Sequence, residues 1–192
     1  MDQDIEIINS NTRREKLITF IKKNKKKLLI AIILIVLSII SFFVYNELKK
    51  RNEIKISENY HISIIQYKSG NTQQSVDNLK NLIGKKHKTY SILAFYFLLD
   101  NNLITSESEI NSYFDLIINK INLENELKNL VIYKKALFNA ETADENTLLS
   151  ILNPLFKSDS VWSSHGQLLL AQYFLEKKEK QKAKEFLEKI IT

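Results

Sequence analysis

The chain has 192 residues, with 28 basic and 22 acidic side chains, no Cys, one Pro and three Gly. The lack of Cys excludes a disulfide framework and thiolate metal sites, and so little Pro and Gly leaves few residues for β-hairpins or a sandwich. Composition therefore predicts a nearly all-helical protein.

The basic character of the chain is concentrated near its N-terminus. Residues 1–27 carry eight basic and four acidic side chains, whereas the residues after position 45 carry twenty and eighteen. A nucleic-acid groove would need its positive charge on the folded part, so we expect no nucleic-acid partner. The N-terminal charge instead suits a membrane surface.

Residues 28–45 read LLIAIILIVLSIISFFVY, without a charge, Pro or Gly. At about 1.5 Å per residue a helix of this length covers roughly 27 Å, close to the ~30 Å hydrocarbon thickness of a bilayer. A cleaved signal peptide would have a shorter apolar run and small residues at its cleavage site, which Phe42 to Glu47 do not offer. We predict one transmembrane helix over residues 28–45, retained as an anchor.

The flanking charges predict the orientation of this anchor. Eight basic residues precede it, and four follow it in a comparable window: Lys49, Lys50, Arg51 and Lys55. Because basic flanks are retained in the cytoplasm, we predict a cytoplasmic tail over residues 1–27 and expect everything from about Asn46 onward to lie across the membrane. The tail has an acidic lead (Asp2, Asp4, Glu6), and its later Leu17, Phe20 and Ile21 suit either a helix lying on the membrane or a solvated tail.

After the anchor we predict a juxtamembrane helix or linker over residues 46–56 and a helical domain over residues 57–192. Ser69, Gly70 and Asn71 form a turn between the first two helices, and Gly84 is expected to end the second in a left-handed conformation. The later helices are predicted over residues 89–100, 110–121, 127–139, 147–156, 164–177 and 180–191. Four hairpins of this length are typical of a helical solenoid.

The last pair of helices resembles a tetratricopeptide repeat. The pattern of large, small and aromatic residues, then small and large ones, is carried by Leu170, Ala171, Phe174, Ala183, Leu187 and Ile190. The first pair matches in part through Gly70, Ser75 and Leu79. The resemblance implies an α-solenoid in which small residues let helices approach closely.

The whole layout resembles the YfgM-like family of bacterial inner-membrane proteins, described as ancillary subunits of the SecYEG translocon. The local similarity lies before and at the start of the apolar run, in Leu17, Phe20, Ile21, Asn24, Lys25 and Leu28. The resemblance implies a bacterial inner-membrane protein with a periplasmic C-terminal domain. It also implies a non-enzymatic role beside the translocon, in which exported proteins are passed to periplasmic chaperones in association with the membrane-anchored chaperone PpiD.

Residue patterns for catalysis or cofactor binding are weak. His61, His87 and His165 are isolated and form no HExxH pair, and Gly84 with Lys85 and Lys86 lacks the spacing of a phosphate-binding loop. Ser163, Ser164 and His165 indicate a helix start more than a nucleophile. We expect no enzyme activity, no cofactor, no metal site and no small-molecule substrate.

Two non-enzymatic functions remain open. In the first, the solenoid binds a partner segment, with candidate contacts at Tyr60, Tyr67, Tyr96, Tyr133 and Tyr173; tyrosines at helical spacing also serve as half-buried packing residues. In the second, the protein is a structural scaffold of another envelope complex, in cell division, cell-wall synthesis or outer-membrane assembly.

Overall fold

The computed structural model describes residues 14–16 and 18–191. All regular structure in these residues is helical, and no strand occurs among them. The all-α class predicted from composition is therefore confirmed for the described part of the chain. The chain divides into two compact units, Met1–Lys55 and Ile56–Thr192.

Eight long helices follow one another in the described residues, separated by short loops. In chain order they are α1 Lys25–Lys68, α2 Thr72–Gly84, α3 Tyr90–Asp100, α4 Glu107–Lys120, α5 Asn125–Asn139, α6 Glu145–Phe156, α7 Val161–Glu176 and α8 Lys180–Ile191. The helices from α3 to α8 begin and end within three residues of the predicted positions.

The first unit consists of helical turns at residues 14–16 and 18–23 and the N-terminal part of α1. Helix α1 contains a window of 18 strongly apolar residues of which none is buried, and by length and composition it could cross a membrane. The predicted acidic lead, Asp2, Asp4 and Glu6, and also Leu17, lie outside the described residues.

The second unit begins with the packing of the end of α1 against α2. Ser63 and Ser75 are both fully buried, and the Ser75 hydroxyl donates a 2.7 Å hydrogen bond to the Ser63 carbonyl. Because serine is small, Ser75 allows the two helices to approach closely, and the hydrogen bond satisfies its buried hydroxyl. The turn between the helices contains Gly70 at φ +85°, a conformation that favours glycine.

The predicted role of Gly84 is wrong. Gly84 is the last residue of α2, and the left-handed conformation falls on Lys86, at φ +55°. The helical turn continues past Gly84 because the amides of Lys85 and Lys86 donate to the carbonyls of Leu82 and Ile83. The reversal of chain direction is thereby delayed by two residues.

Two hydrophobic clusters form the core of this unit. The first spans α1 to α5 and is centred on Phe95 and Phe114, whose rings meet edge to face at 4.8 Å between centroids. The second spans α5 to α8, where Phe174 stacks on Phe186 at 5.6 Å. Ala183, which is buried in the second cluster, occupies a small position predicted from the repeat pattern.

Consecutive helices from α2 to α8 pack against each other, and α5 also packs directly against α7. Helix α7 approaches α6 closely at Gly166, where a Cβ atom would lie 3.2 Å from side-chain atoms of Leu152 and Phe156.

Lys182 at the start of α8 lies 2.8 Å from both Glu145 and Glu179, and these hydrogen bonds raise its pKa. The end of the chain is thereby attached to α6.

Candidate partner-binding surface

The five tyrosines predicted as partner contacts lie on alternate helices of the second unit. Tyr60 and Tyr67 are on the last part of α1, Tyr96 is on α3, Tyr133 on α5 and Tyr173 on α7. Aromatic side chains connect each of these helices to the next one in the series. We call this set of contacts the aromatic row, comprising Tyr60, Tyr67, Tyr90, Tyr96, Phe97, Tyr133, Trp162 and His165 together with Lys134, whose ammonium lies over the Tyr96 ring.

The row begins where α1 meets α3. The Tyr60 and Tyr90 rings lie 5.7 Å apart, and the Tyr67 ring meets Phe97 edge to face at 5.3 Å. The Tyr90 hydroxyl donates a 2.7 Å hydrogen bond to the Ser57 hydroxyl oxygen. Burial raises the pKa of Tyr60, although its ring is only half-buried. These contacts hold two helices together and leave ring edges accessible.

The middle of the row joins α3 to α5 through Tyr96 and Lys134. The Lys134 ammonium lies 4.1 Å from the centroid of the Tyr96 ring, within the range of a cation–π interaction. The Tyr96 hydroxyl is buried and has no hydrogen-bond partner among the described residues. Burial, with a smaller contribution from Asp100, raises the pKa of Tyr96 well above its ordinary value. The Tyr96 hydroxyl is therefore removed from water without a compensating hydrogen bond, although part of the Tyr96 side chain is accessible at the surface.

The row ends in a three-ring cluster between α5 and α7. The Tyr133 ring stacks on Trp162 at 5.6 Å, and the His165 ring lies 5.8 Å from Tyr133 and 5.1 Å from Trp162. His165 is exposed, while the other two are half-buried. Its Nδ1 lies 3.0 Å from the Val161 carbonyl oxygen, so that nitrogen interacts with the backbone of its own helix. The cluster thus exposes an apolar surface with one polar edge.

Tyr173 differs from the other four predicted contacts. It is only 6% exposed, and its hydroxyl donates a 3.2 Å hydrogen bond to the Ala143 carbonyl in the loop before α6. The structure therefore places Tyr173 in the second core cluster, where little of its ring is available to a partner.

Exposed leucines accompany the aromatic row. Leu93 precedes Tyr96 by one helical turn on α3 and is 42% exposed, and Leu137 follows Tyr133 by one turn on α5 and is 51% exposed. Residues three and four apart share a helix face, so these leucines extend the surface that the rings form. Contiguous exposed apolar side chains of this kind are more typical of interaction sites than of the rest of a protein surface.

Several members of the row were missed in the sequence. No partner contact was predicted at Phe97, Lys134, Trp162 or His165. Their periodicity gave no clear signal, because which of them meet depends on the packing of α5 on α7 and on the reach of Lys134 from α5 to Tyr96 on α3.

Groups needed for metal chemistry are dispersed in the described residues. There, no group of three His or acidic side chains lies close enough together to hold a metal ion. His87 is used locally, since its Nδ1 accepts from the amides of Thr89 and Tyr90 at the start of α3, at 3.2 and 3.1 Å.

Comparison with known proteins yields no relative. No family model, no curated protein and no solved structure matches this chain. The geometry of its own side chains therefore carries the functional argument.

Proposed function

We propose that the chain is a single-pass membrane protein whose helical unit, Ile56–Thr192, binds a protein partner through the aromatic row. The observation that carries this proposal is the row itself: half-buried rings on α1, α3, α5 and α7, bordered by exposed Leu93 and Leu137. Large aromatic groups supply much of the binding energy at protein interfaces because they bury area with few rotatable bonds.

The proposed architecture is a tetratricopeptide-like solenoid of four hairpins, α1 with α2, α3 with α4, α5 with α6 and α7 with α8. It is supported by the packing of consecutive helices from α2 to α8, by the hydrogen bond from Ser75 of α2 to Ser63 of α1, and by the direct contact of α5 with α7. In such a stack the first helices of the pairs adjoin one another and share one surface. The aromatic row follows this series of helices.

The proposed anchor is residues 28–45. Its support is the apolar window in α1, in which every described side chain is at least partly accessible and none is covered by other parts of the chain. The excess of basic residues before the window favours a cytoplasmic N-terminus, which would put the second unit in the periplasm of a bacterial cell.

By the resemblance described above, the proposed partners are the SecYEG translocon and a PpiD-like membrane-anchored chaperone. In that setting the aromatic row would hold apolar segments of exported proteins or of the chaperone. The surface suits such segments, because the described part of the row contains one cation, Lys134, among otherwise apolar and aromatic groups.

Site-specific photocrosslinking tests the partner. A photoreactive phenylalanine analogue at Leu93 samples the row, and the same analogue at Asn119, an exposed position of α4, is the matched control. We expect adducts with translocon subunits or a periplasmic chaperone from position 93 in intact membranes and few from position 119. Equal labelling from both positions would contradict the proposed surface, and adducts only with division or cell-wall proteins would favour the scaffold of another envelope complex.

A topology reporter tests the anchor separately. Alkaline phosphatase fused after Thr192 is expected to be active, because that enzyme folds only outside the cytoplasm, and a fluorescent reporter that folds only in the cytoplasm is expected to be dark. The opposite pair of results would reverse the proposed orientation.

A further inference from the structure

Helix α7 carries an apolar stripe on the face turned away from the core. Val161, Leu168 and Leu175 are 68%, 43% and 50% exposed. They are seven residues apart, and since seven residues make almost two full helical turns, the three side chains point to the same side. The opposite face, with Leu170 and Phe174, is fully buried.

A neighbouring helix also exposes an apolar side chain. Leu187 of α8 is exposed, and α8 packs against α7. The three-ring cluster of the aromatic row joins α7 to α5, and its His165 lies one helical turn from both Val161 and Leu168. The stripe therefore adjoins the row at His165 and extends beyond it along α7 to Leu175.

We propose that the stripe binds a second copy of this chain, with the two α7 helices antiparallel and a two-fold axis at Leu168. The spacing is self-complementary, because Val161 and Leu175 are equally far from Leu168. Antiparallel pairing thus places Leu168 against Leu168 and Val161 against Leu175 of the other copy. A two-fold interface requires this kind of self-matching surface, while an unrelated partner does not.

Charges at the ends of α7 favour the same arrangement. The N-terminal end of α7 is acidic, because exposed Asp159 precedes the helix and the Glu126 carboxylate accepts a 2.9 Å hydrogen bond from the Ser160 hydroxyl. The other end carries exposed Lys177 and Lys178 next to Glu176, so antiparallel pairing brings an acidic end close to a basic one. Asp159, exposed just before α7, would meet the exposed Lys178 that follows the helix in the other copy.

Single cysteines test this geometry in the full chain, which has no Cys of its own. Leu168→Cys lies on the proposed axis, so two copies should form a disulfide under mild oxidation in detergent or in membranes. Val161→Cys or Leu175→Cys alone should not, because equivalent residues would be about 21 Å apart along the helices. A mixture of the Val161→Cys and Leu175→Cys proteins should crosslink. Asn119→Cys, at an exposed site on α4, reports random collision.

We expect crosslinking of Leu168→Cys and of the mixture at least tenfold faster than that of Asn119→Cys or of either outer variant alone. Equal crosslinking rates of Leu168→Cys, Val161→Cys and Leu175→Cys would indicate parallel or anchor-driven pairing and would overturn the proposal. It would also be overturned if no α7 variant crosslinked faster than Asn119→Cys, or if the only adducts were with another protein. Unchanged Trp162 fluorescence shows that the variants remain folded.

A charge exchange provides a second measurement. Asp159→Lys should weaken dimerisation several-fold by placing two cations together, and Asp159→Lys combined with Lys178→Asp should restore it. Failure of the double variant to restore the dimer would refute the antiparallel alignment. Because neither readout depends on a translocon or chaperone, the result is independent of the proposed partner.

Discussion

Removal of the Tyr96 hydroxyl should stabilise the protein. This hydroxyl is buried without a hydrogen-bond partner among the described residues, whereas the ring contacts Phe95 at 5.2 Å between centroids and has Lys134 above its face. Tyr96→Phe removes the oxygen and retains both ring contacts. The substitution therefore isolates the effect of one desolvated polar group.

The expected magnitude follows from the cost of burying such a group. An unsatisfied buried donor or acceptor costs about 1 to 3 kcal/mol. Because Tyr96 is not fully buried, we expect the free energy of unfolding to rise by about 1 kcal/mol, at the lower end of that range. The raised pKa of Tyr96, caused first by burial, has the same physical origin.

Tyr90→Phe is the matched control. It removes the same atom, but the Tyr90 hydroxyl donates a 2.7 Å hydrogen bond to Ser57, so the change should cost about 1 kcal/mol. Both variants can be measured by urea unfolding in mild detergent, followed by the fluorescence of Trp162, the one tryptophan of the chain. Trp162 stacks on Tyr133 and should report loss of tertiary packing.

Relative to the wild-type protein, Tyr96→Phe should raise the free energy of unfolding and Tyr90→Phe should lower it. The two variants should therefore differ from each other by about 2 kcal/mol. Destabilisation by Tyr96→Phe comparable to that of Tyr90→Phe would refute the reasoning, because it would mean that the Tyr96 hydroxyl is satisfied in the folded state. If the variant is more stable and also loses its photocrosslinks at Leu93, the hydroxyl contributes to partner binding.

Three further changes have defined outcomes. Lys178→Gly should raise the free energy of unfolding by up to about 1 kcal/mol, because φ +64° strains a side chain, whereas Lys177→Gly at φ −75° should lower it. Ser75→Ala should cost about 1 to 2 kcal/mol in the same urea assay by removing the buried hydrogen bond to Ser63. Burial, followed by the hydrogen bond to Glu109, raises the pKa of Tyr113 to about 12. The unfolded chain loses that proton near pH 10, so stability should fall between pH 10 and about 12, and less steeply in Tyr113→Phe.

Local sequence patterns predicted most helix positions because their causes lie within a few residues. Ser106 caps the N-terminus of α4, where its hydroxyl oxygen accepts a hydrogen bond from the Glu109 amide. Gly70 allows the first turn, and Pro154 falls in the last turn of α6. The left-handed residue after α2 was misplaced, because the choice between Gly84 and Lys86 depended on how far the helix continued.

The surface could be predicted only in part. Tyr60, Tyr67, Tyr96 and Tyr133 lie on the row that joins alternate helices, but Tyr173 is in the core. All five have similar helical spacing, and the sequence alone does not distinguish them. The exposure of each ring depends on which other parts of the chain pack against it. For Tyr173, the loop before α6 supplies the Ala143 carbonyl that accepts a hydrogen bond from its hydroxyl.

The sequence by itself determined the helical class, the apolar helix near the N-terminus and the main turns, because these follow from composition and from periodicity along one stretch of chain. Only the tertiary structure decided which aromatic side chains meet across helices, which hydroxyl is left unsatisfied and which face of α7 remains exposed. Those properties arise from contacts between residues about 30 to 40 positions apart, such as Tyr96 with Lys134 and Tyr133 with Trp162, and such contacts exist only after the helices have packed.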